Sequence, residues 1–254
     1  GCDAVFHLAA LIGIPYSYES PLAYIRTNVE GTYNILEAAR SLNVSQALVT
    51  STSETYGTAQ RVPIDETHPL VAQSPYAATK IAADQLAVSY YRSFGVPVKI
   101  VRPFNTYGPR QSARAVIPTI VTQILAGARA LKLGNLEPTR DLTFVKDTAH
   151  GFLAIYQAQG LFGEVTNIGM NEEISIGDLA AMIARLMQAA IDIEGEPQRV
   201  RPENSEVERL RCENAKIVAR TAWRPRYTLA KGLAETVEWL RAHMALYKPD
   251  LYSR

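Results

Sequence analysis

The segment that decides the fold begins with QALVTS at residues 46–51 and ends with VPVKIVR at residues 96–102. Both are short apolar runs of the kind that form strands buried on two faces. Between them, Ser74 and Pro75 supply the N-cap and first-turn proline of a helix that continues to about Phe94. A buried strand, a long helix and a second buried strand predict a parallel pair joined by a right-handed crossover.

The same alternation extends towards the N-terminus and changes after about Pro109. AVFHLA at 4–9 predicts a further strand, and a helix is expected at about 20–40. Beyond Pro109 the predicted elements are helices near 115–126, 147–157, 176–188 and 228–247, with short strands near 131–134, 142–145 and 165–168. We therefore predict an α/β protein with a Rossmann-like, doubly wound parallel sheet over 1–112. A smaller α+β lobe is predicted over 113–254, with 141–169 returning to the sheet.

The composition indicates a soluble globular protein: 254 residues, 47% hydrophobic, with a net charge of +1. Such a charge gives no overall field that attracts nucleic acid or an acidic membrane. No apolar run reaches the roughly 18 residues of a spanning helix. Cys2 and Cys212 form no disulfide framework, and the four histidines form no zinc motif, so we expect a cytoplasmic protein without a metal site.

The chemistry is predicted to lie in STSE at 51–54, directly after a strand, and in Tyr76 and Lys80 at the start of a helix. Ligands of open parallel sheets bind at the carboxyl ends of the strands. The spacing of four residues puts the phenol and the ammonium on one helix face. Because a nearby cation favours the phenolate, we expect Lys80 to lower the pKa of Tyr76. Thr52 would polarise a substrate oxygen while Tyr76 takes its proton.

The YxxxK pattern alone is weak, and it occurs a second time at Tyr227 and Lys231. Taken alone, Tyr76 and Lys80 would equally be an ordinary helix-face pair. The order of strand-end STSE, Ser-Pro helix start and YxxxK favours the catalytic interpretation for the first copy. The second copy has no upstream strand-end hydroxyl, and we interpret it as structural.

Further strings give the chain a family resemblance: FHLAA (6–10), NVEGT (28–32), RPFNTYGPRQ (102–111), RDLTFV (140–145), NIG (167–169) and RP (201–202). With STSE and YxxxK, they resemble the extended short-chain dehydrogenases/reductases of the nucleotide-sugar epimerase/dehydratase group. The resemblance implies NAD as cofactor, a nucleotide-sugar substrate, and a homodimer formed through the helices at 20–40 and 74–94.

The resemblance also implies which residues meet each ligand. The cofactor-binding positions are Leu8, Ala9, Ala10, Leu11, Asn28, Ser51, Tyr76, Lys80 and Phe104. Asn105 is expected to meet the sugar diphosphate. Since arginine binds phosphate in a bidentate manner, the further candidates for the diphosphate are Arg114, Arg140, Arg201 and Arg209.

Within the group, Glu54 narrows the reaction, because epimerases usually have a small or apolar residue there. Chains similar to GDP-mannose 4,6-dehydratase carry Thr-Ser-Glu. Once C4 of the hexose is a ketone, the C5 proton is acidic and Glu54 can remove it; water then leaves C6 and hydride returns there. Ser53 stands where the dTDP-glucose type has Asp, so Glu54 is predicted to act as base and acid, aided by Ser53. Longer strings resemble the legionaminic-acid type, which takes GDP-N-acetylglucosamine.

Three alternatives remain: a UDP-glucuronate decarboxylase, a 4-epimerase, and a non-catalytic nucleotide-sugar-binding fragment. The last arises because the 254 residues contain no G-x-G-x-x-G; the nearest string is GLFG at 160–163. By the family's plan, the chain would begin about 60–70 residues late, without the glycine loop and the ribose-binding acid. NAD and NADP are not distinguished, and the strand at 4–9 is expected to leave an exposed edge.

Overall fold

The computed structural model describes residues 1–196, 199 and 202–248. The strands are β1 (Ala4–His7), β2 (Gln46–Thr50), β3 (Val98–Pro103), β4 (Asn105–Tyr107), β5 (Ala130–Leu133), β6 (Thr139–Arg140), β7 (Leu142–Phe144), β8 (Val165–Ile168), β9 (Ile174–Ser175) and β10 (Asp192–Gly195). The α-helices are α1 (Ile14–Glu19), α2 (Pro21–Tyr24), α3 (Gly31–Ser41), α4 (Pro75–Phe94), α5 (Val116–Leu125), α6 (Val145–Gln157), α7 (Ile176–Leu186), α8 (Ala215–Arg220) and α9 (Leu229–Ala242).

The central sheet has four parallel strands in the order β1-β2-β3-β8. Its middle strands are fully buried at Leu48, Val49 and Ile100, because α3 and α4 cover one face and α6 and Trp223 the other. The predicted α/β class and parallel sheet are confirmed. Among the described residues β1 pairs only with β2, so one side of β1 is an open edge.

The smaller lobe is a helical layer on short strand pairs. Its core joins α5, α7 and α9 through Ile120, Ile183 and Leu240, each fully buried. The pairs are parallel β5–β10, parallel β4–β7 and antiparallel β6–β9. Strand β10 was not among the predicted elements, because its charged local sequence gives no sign of a strand and its pairing with β5 sets it.

Two predicted helices have different limits in the structure. The region expected to be one helix at 20–40 consists of α2, a π-helical turn at Ile25–Glu30, and α3, and the short helix α1 precedes it. The break at Ser20 arises because Pro21 has no N–H to continue α1, and Pro21 instead starts α2. The last helix ends at Ala242 rather than 247, since His243 leaves the helical conformation at φ −124°. No helix in the described part of the chain is long and apolar enough to cross a membrane.

Candidate active site

A cavity of about 530 Å³ lies where the carboxyl ends of β2 and β3 face the smaller lobe. Thr52, Glu54 and Tyr76 line its sheet side. On the opposite side it is lined by polar and charged residues of the smaller lobe and of the loops that lead to it, namely Asn105, Gln111, Arg114, Arg140, Arg199 and Glu206. The sequence motifs therefore converge on one concave site.

The turn after β2 aims the STSE side chains. Thr52 has extended backbone (φ −156°, ψ 147°) and caps a 3₁₀ turn at Ser53–Tyr56, its Oγ1 accepting the Glu54 N–H at 3.3 Å. Gly57 ends the turn at φ +65°, where a Cβ would lie 2.6 Å from Gln73 Oε1. The turn thus points Thr52 and Glu54 into the cavity.

Ser53 does not share that direction. Its side chain is buried and is not part of the cavity lining. The prediction that Ser53 aids catalysis is therefore not supported, because the 3₁₀ turn faces it into the protein. Glu54, also buried, is the carboxylate that this turn presents to the cavity.

Helix α4 carries Tyr76, which lines the cavity, and Lys80, which is buried and is not among the lining residues. Ser74 Oγ accepts the Ala77 N–H at 3.1 Å and fixes the helix start one turn before the site. The Tyr76 hydroxyl is hydrogen-bonded to Thr52. The Lys80 ammonium donates to the carbonyl oxygen of Thr50 at 2.6 Å. Thr52 and Tyr76 thus interact at the cavity, and Lys80 is joined to the strand residue Thr50; the catalytic roles of the three residues stay a prediction.

The expectation that Lys80 lowers the pKa of Tyr76 is wrong for this structure. Burial raises the pKa of the Tyr76 phenol above its ordinary value, the Thr52 hydrogen bond opposes this, and the charge of Glu54 adds to it. Burial also lowers the pKa of Lys80. Desolvation of the phenolate therefore outweighs any help from the cation, which is directed at the β2 carbonyl.

Asn28, which is predicted to contact the cofactor, makes three hydrogen bonds within the protein. Its Nδ2 donates to Leu11 O and to Thr79 Oγ1, both at 3.0 Å, and its Oδ1 accepts the Leu11 N–H at 2.8 Å. These bonds engage both the oxygen and the nitrogen of the amide. Asn28, in the π-helical turn, anchors the loop after β1, in which Leu8 and Ala9 are exposed and Ala10 half-buried.

The wall between β2 and β3 contains Ser51 and Phe104. Ser51 lines the cavity, and its hydroxyl donates to Asp84 Oδ2 at 2.6 Å. Phe104 is buried, lines the cavity and packs on Tyr56 with ring centroids 6.2 Å apart.

The arginine candidates separate into three cases. Arg140 and Arg114 line the cavity; Arg140 is buried, donating to Glu206 Oε1 at 3.3 Å. Arg209 does not line it, and its half-exposed guanidinium forms a two-nitrogen ion pair with Glu173, so its diphosphate assignment stays a prediction without support from the cavity. Arg201 lies outside the described residues.

The second YxxxK copy lies away from the cavity, as predicted. The Lys231 ammonium sits 4.4 Å from the centroid of the Tyr227 ring, and that ring packs on Phe144 at 4.5 Å. Neither residue lines the site, and the structural interpretation of this copy is confirmed.

Known proteins resemble this chain over most of its length. The family model described as GDP-mannose 4,6-dehydratase matches residues 1–236. The chain belongs to this family. As a member of the GDP-mannose 4,6-dehydratase family, it carries the expected Rossmann-like, short-chain dehydrogenase/reductase architecture.

The relatives of this dehydratase-family chain include more than one reaction. It is 34% identical over 247 residues to a dTDP-glucose 4,6-dehydratase of Streptomyces antibioticus, covering 97% of this chain and 72% of the relative. It is 32% identical to a UDP-glucose 4-epimerase of Mycolicibacterium smegmatis, covering 94% and 76%. The crystal structure of DesIV, a dTDP-glucose 4,6-dehydratase of Streptomyces venezuelae with NAD bound, superposes with a TM-score of 0.88 at 30% identity, covering 97% and 76%.

The residues present fit the part of NAD that would lie near the reacting sugar. Thr50 Oγ1 and Asn105 Oδ1 are buried without a hydrogen-bond partner, and both residues line the cavity. Unpaired buried acceptors of this kind fit a polar ligand. Tyr76 and Lys80 lie beside them. The glycine-rich loop that would hold a pyrophosphate is not among these 254 residues.

Sequence reasoning missed Gln111, Arg199 and Glu206 as lining residues. Gln111 stands in the RPFNTYGPRQ string and Arg199 in an arginine-rich stretch, so position alone offered a weak signal. Glu206 offered none, because its place depends on its ion pair with Arg140. Within the described residues, no group of three His, Cys, Asp or Glu is arranged to hold a metal ion.

Proposed function

We propose that this chain is the catalytic part of an NAD-dependent nucleotide-sugar 4,6-dehydratase, which forms a 4-keto-6-deoxy sugar nucleotide. The observation that supports it best is the meeting of Thr52, Glu54 and Tyr76 on one cavity wall. A hydroxyl, a carboxylate and a phenol together supply groups for oxidation at C4 and for elimination across C5 and C6.

Tyr76 takes the proton of the C4 hydroxyl of the sugar, while the Thr52 hydroxyl forms a hydrogen bond with the same oxygen. The Thr52 hydrogen bond stabilises the phenolate against the effect of burial. Lys80 holds the ribose next to the nicotinamide. Bound NAD supplies the hydride acceptor for C4 and the hydride returned to C6.

Glu54 takes the C5 proton, which is acidic beside the C4 carbonyl. The C5–H electron pair forms the C5–C6 double bond as the C6–O bond breaks. Because Ser53 faces away from the cavity, Glu54 gives the same proton to the departing hydroxide, and water leaves. When hydride is returned to C6, C5 takes up a proton, and the proton that Tyr76 removed from the C4 hydroxyl balances it.

We assign the diphosphate to Arg140 and Arg114, with Arg201 from the sequence pattern, and the neighbouring sugar to Asn105. Arg140 is held by Glu206 and Thr139, which fixes the plane of its guanidinium. Residues 1–112 with 141–169 would then hold the cofactor and the catalytic groups, and the rest of the chain the nucleotide sugar.

A 4-epimerase is the second candidate, since relatives with that name share the fold. Glu54 favours the dehydratase, because epimerisation at C4 needs no base at C5. A decarboxylase would need a cation against the C6 carboxylate. The cationic residues that line the described cavity are Arg114, Arg140 and Arg199, and the first two are assigned to the diphosphate above.

Product mass tests the proposal. This chain, and the chain joined to the N-terminal segment of a relative, would be incubated with NAD and a panel of dTDP-, UDP- and GDP-hexoses, N-acetylhexosamines and UDP-glucuronate. Loss of one water from one substrate is expected. Loss of carbon dioxide would identify a decarboxylase. An unchanged mass with inverted configuration at C4 of the sugar would identify an epimerase. No reaction of the chain, with or without the added N-terminal segment, would favour a binding fragment.

We further propose a homodimer. Leu22, Ile25 and Tyr33 on one helical segment are 55%, 50% and 46% exposed, and Phe94 at the end of α4 is 51% exposed. Apolar side chains this exposed on neighbouring helices are typical of an interface. Light scattering should give twice the chain mass for the wild type and the monomer mass for Ile25→Glu.

We also place the protein in the cytoplasm, as an enzyme of polysaccharide biosynthesis. Cys2 and Cys212 are unpaired, which fits a reducing compartment. Activated deoxysugars made there would serve as glycan precursors. Fractionation of cells expressing the tagged protein tests the placement.

A further inference from the structure

A cluster of buried polar side chains lies directly behind the cavity wall and takes no part in the proposed chemistry. Asp84 Oδ2 pairs with Arg102 Nη2 at 2.7 Å, and their side chains are 1% and 2% exposed. The Ser51 hydroxyl donates to the same Oδ2 at 2.6 Å and accepts from Arg102 Nε at 3.1 Å. The three groups close a hydrogen-bonded ring.

This ring touches the elements that carry the catalytic groups. Asp84 lies one helical turn after Lys80 on α4, and Ser51 follows Thr50, whose carbonyl accepts from Lys80. Arg102, on β3, lies 4.6 Å from the centroid of the Tyr56 ring. Tyr56 closes the turn that presents Glu54. The ring therefore links α4, β2, β3 and the STSE turn behind the cavity.

The negative charge of the Asp84 carboxylate acts on Lys80. Asp84 raises the pKa of Lys80 against the lowering by burial. The Oδ1 atom of Asp84 is buried and accepts no hydrogen bond. His7 on β1 is a further ionisable group that interacts electrostatically with Lys80. Arg102 interacts with Asp84, and both Glu54 and Asp84 interact with Tyr76.

We propose that Asp84 is a positioning residue of this site: fixed by Arg102 and Ser51, its carboxylate holds the 51–56 turn in its working arrangement and acts through its charge on Lys80, which lies one helical turn away. The proposal rests on the role given to Lys80 above. An ion pair on the surface would contribute little to stability. The Asp84–Arg102 pair, in contrast, is buried and shielded from water.

The test follows Lys80 directly and needs no turnover. The chain would be labelled with lysine carrying carbon-13 at Cε, and the Lys80 signal assigned by its loss in Lys80→Arg. In Asp84→Asn the titration midpoint of Lys80 is expected to fall by about one pH unit, because a nearby anion is lost. In Arg102→Met it is expected to rise, because a competing cation is lost. Glu238→Gln, which removes an exposed surface charge on α9, should leave it unchanged.

Opposite shifts in the two variants support the proposal, since a general loosening of the core would move the midpoint in the same direction in both. Equal shifts, or no shift in Asp84→Asn, would overturn it. So would an Asp84→Asn chain that does not fold by circular dichroism, because Asp84 would then serve stability alone. Failure of the proposed reaction would appear separately, as absence of product from a chain whose Lys80 titrates as expected.

Discussion

The proposed catalytic group (Thr52, Glu54, Tyr76 and Lys80) and the proposed phosphate side of the cavity (Arg114 and Arg140) differ in how their residues are brought to the site. The first is called the catalytic wall below. Thr52, Glu54, Tyr76 and Lys80 come from one turn and one helix start, within 29 residues of sequence. The arginines come from distant segments, and their destinations depend on carboxylate partners. Glu206 holds Arg140 at the cavity, while Glu173 holds Arg209 outside it. Local backbone geometry fixes the first group, and long-range ion pairing selects among the second.

The sharpest test of the catalytic wall compares the two YxxxK copies. Tyr76→Phe should lower turnover about a thousandfold, since general acid–base groups contribute roughly 10²–10⁴-fold. Tyr227→Phe, the matched control in the second copy, should stay near wild-type activity. Initial rates of product formation measure both. Equal losses in the two variants would show that the wall does not depend on the first copy.

The role of Glu54 separates elimination from oxidation. Glu54→Gln should slow exchange of the C5 proton with solvent deuterium by about a hundredfold or more, because amide nitrogen and oxygen are poor bases. Binding of the nucleotide sugar should persist. Mass spectrometry of recovered substrate in heavy water gives the exchange rate, and calorimetry the binding. Undiminished exchange would remove Glu54 from the mechanism.

The phosphate side is tested by two arginines with opposite placements. Arg140→Met should weaken nucleotide-sugar binding about tenfold or more, because a charge-assisted hydrogen bond contributes roughly 1.5–3 kcal/mol. Arg209→Met should bind as wild type, since its guanidinium pairs with Glu173 beyond the cavity. Titration calorimetry measures both. Weaker binding in Arg209→Met alone would reverse the assignment.

The smallest effect expected concerns Asp141, which lies beside Arg140 and supports the phosphate side from within. Its Oδ1 accepts the Met170 N–H at 2.8 Å and its Oδ2 the Cys212 N–H at 3.0 Å. Burial raises the pKa of Asp141 from 3.8 to about 7. The folded chain therefore holds this proton more tightly than the unfolded one, and stability falls as pH rises from about 4 to about 7.

Asp141→Asn should remove that dependence. The Tm of wild type minus that of Asp141→Asn is expected to be larger at pH 5 than at pH 8, by about 2–4 °C for each kcal/mol that the proton contributes. Differential scanning calorimetry at both pH values measures it. A difference that is constant, or larger at pH 8, would contradict the raised pKa.

Much of the site was predictable because short-range rules set it. A Ser-Pro start with Tyr and Lys four residues apart fixes both side chains on one helix face. The predicted contact of Asn28 with the cofactor stays a prediction. The hydrogen bonds of its amide to Leu11 could not be predicted, because they form only when the loop after β1 folds back onto the π-helical turn. The shift in the pKa of Tyr76 was predicted in the wrong direction. The prediction used the spacing to Lys80, whereas the larger effect is the burial of the phenol, which the spacing does not reveal.

The sequence by itself determined the parallel α/β sheet, the family, and the placement of Thr52, Glu54, Tyr76 and Lys80 after a strand and at a helix start, since buried strands, caps and i,i+4 spacing are local properties of the chain. Tertiary structure alone decided which arginines face the cavity, that Ser53 faces inward, and that Asp84, Arg102 and Ser51 form a ring behind the wall. Those outcomes depend on desolvation and on partners distant in sequence, and both exist only when the chain is packed.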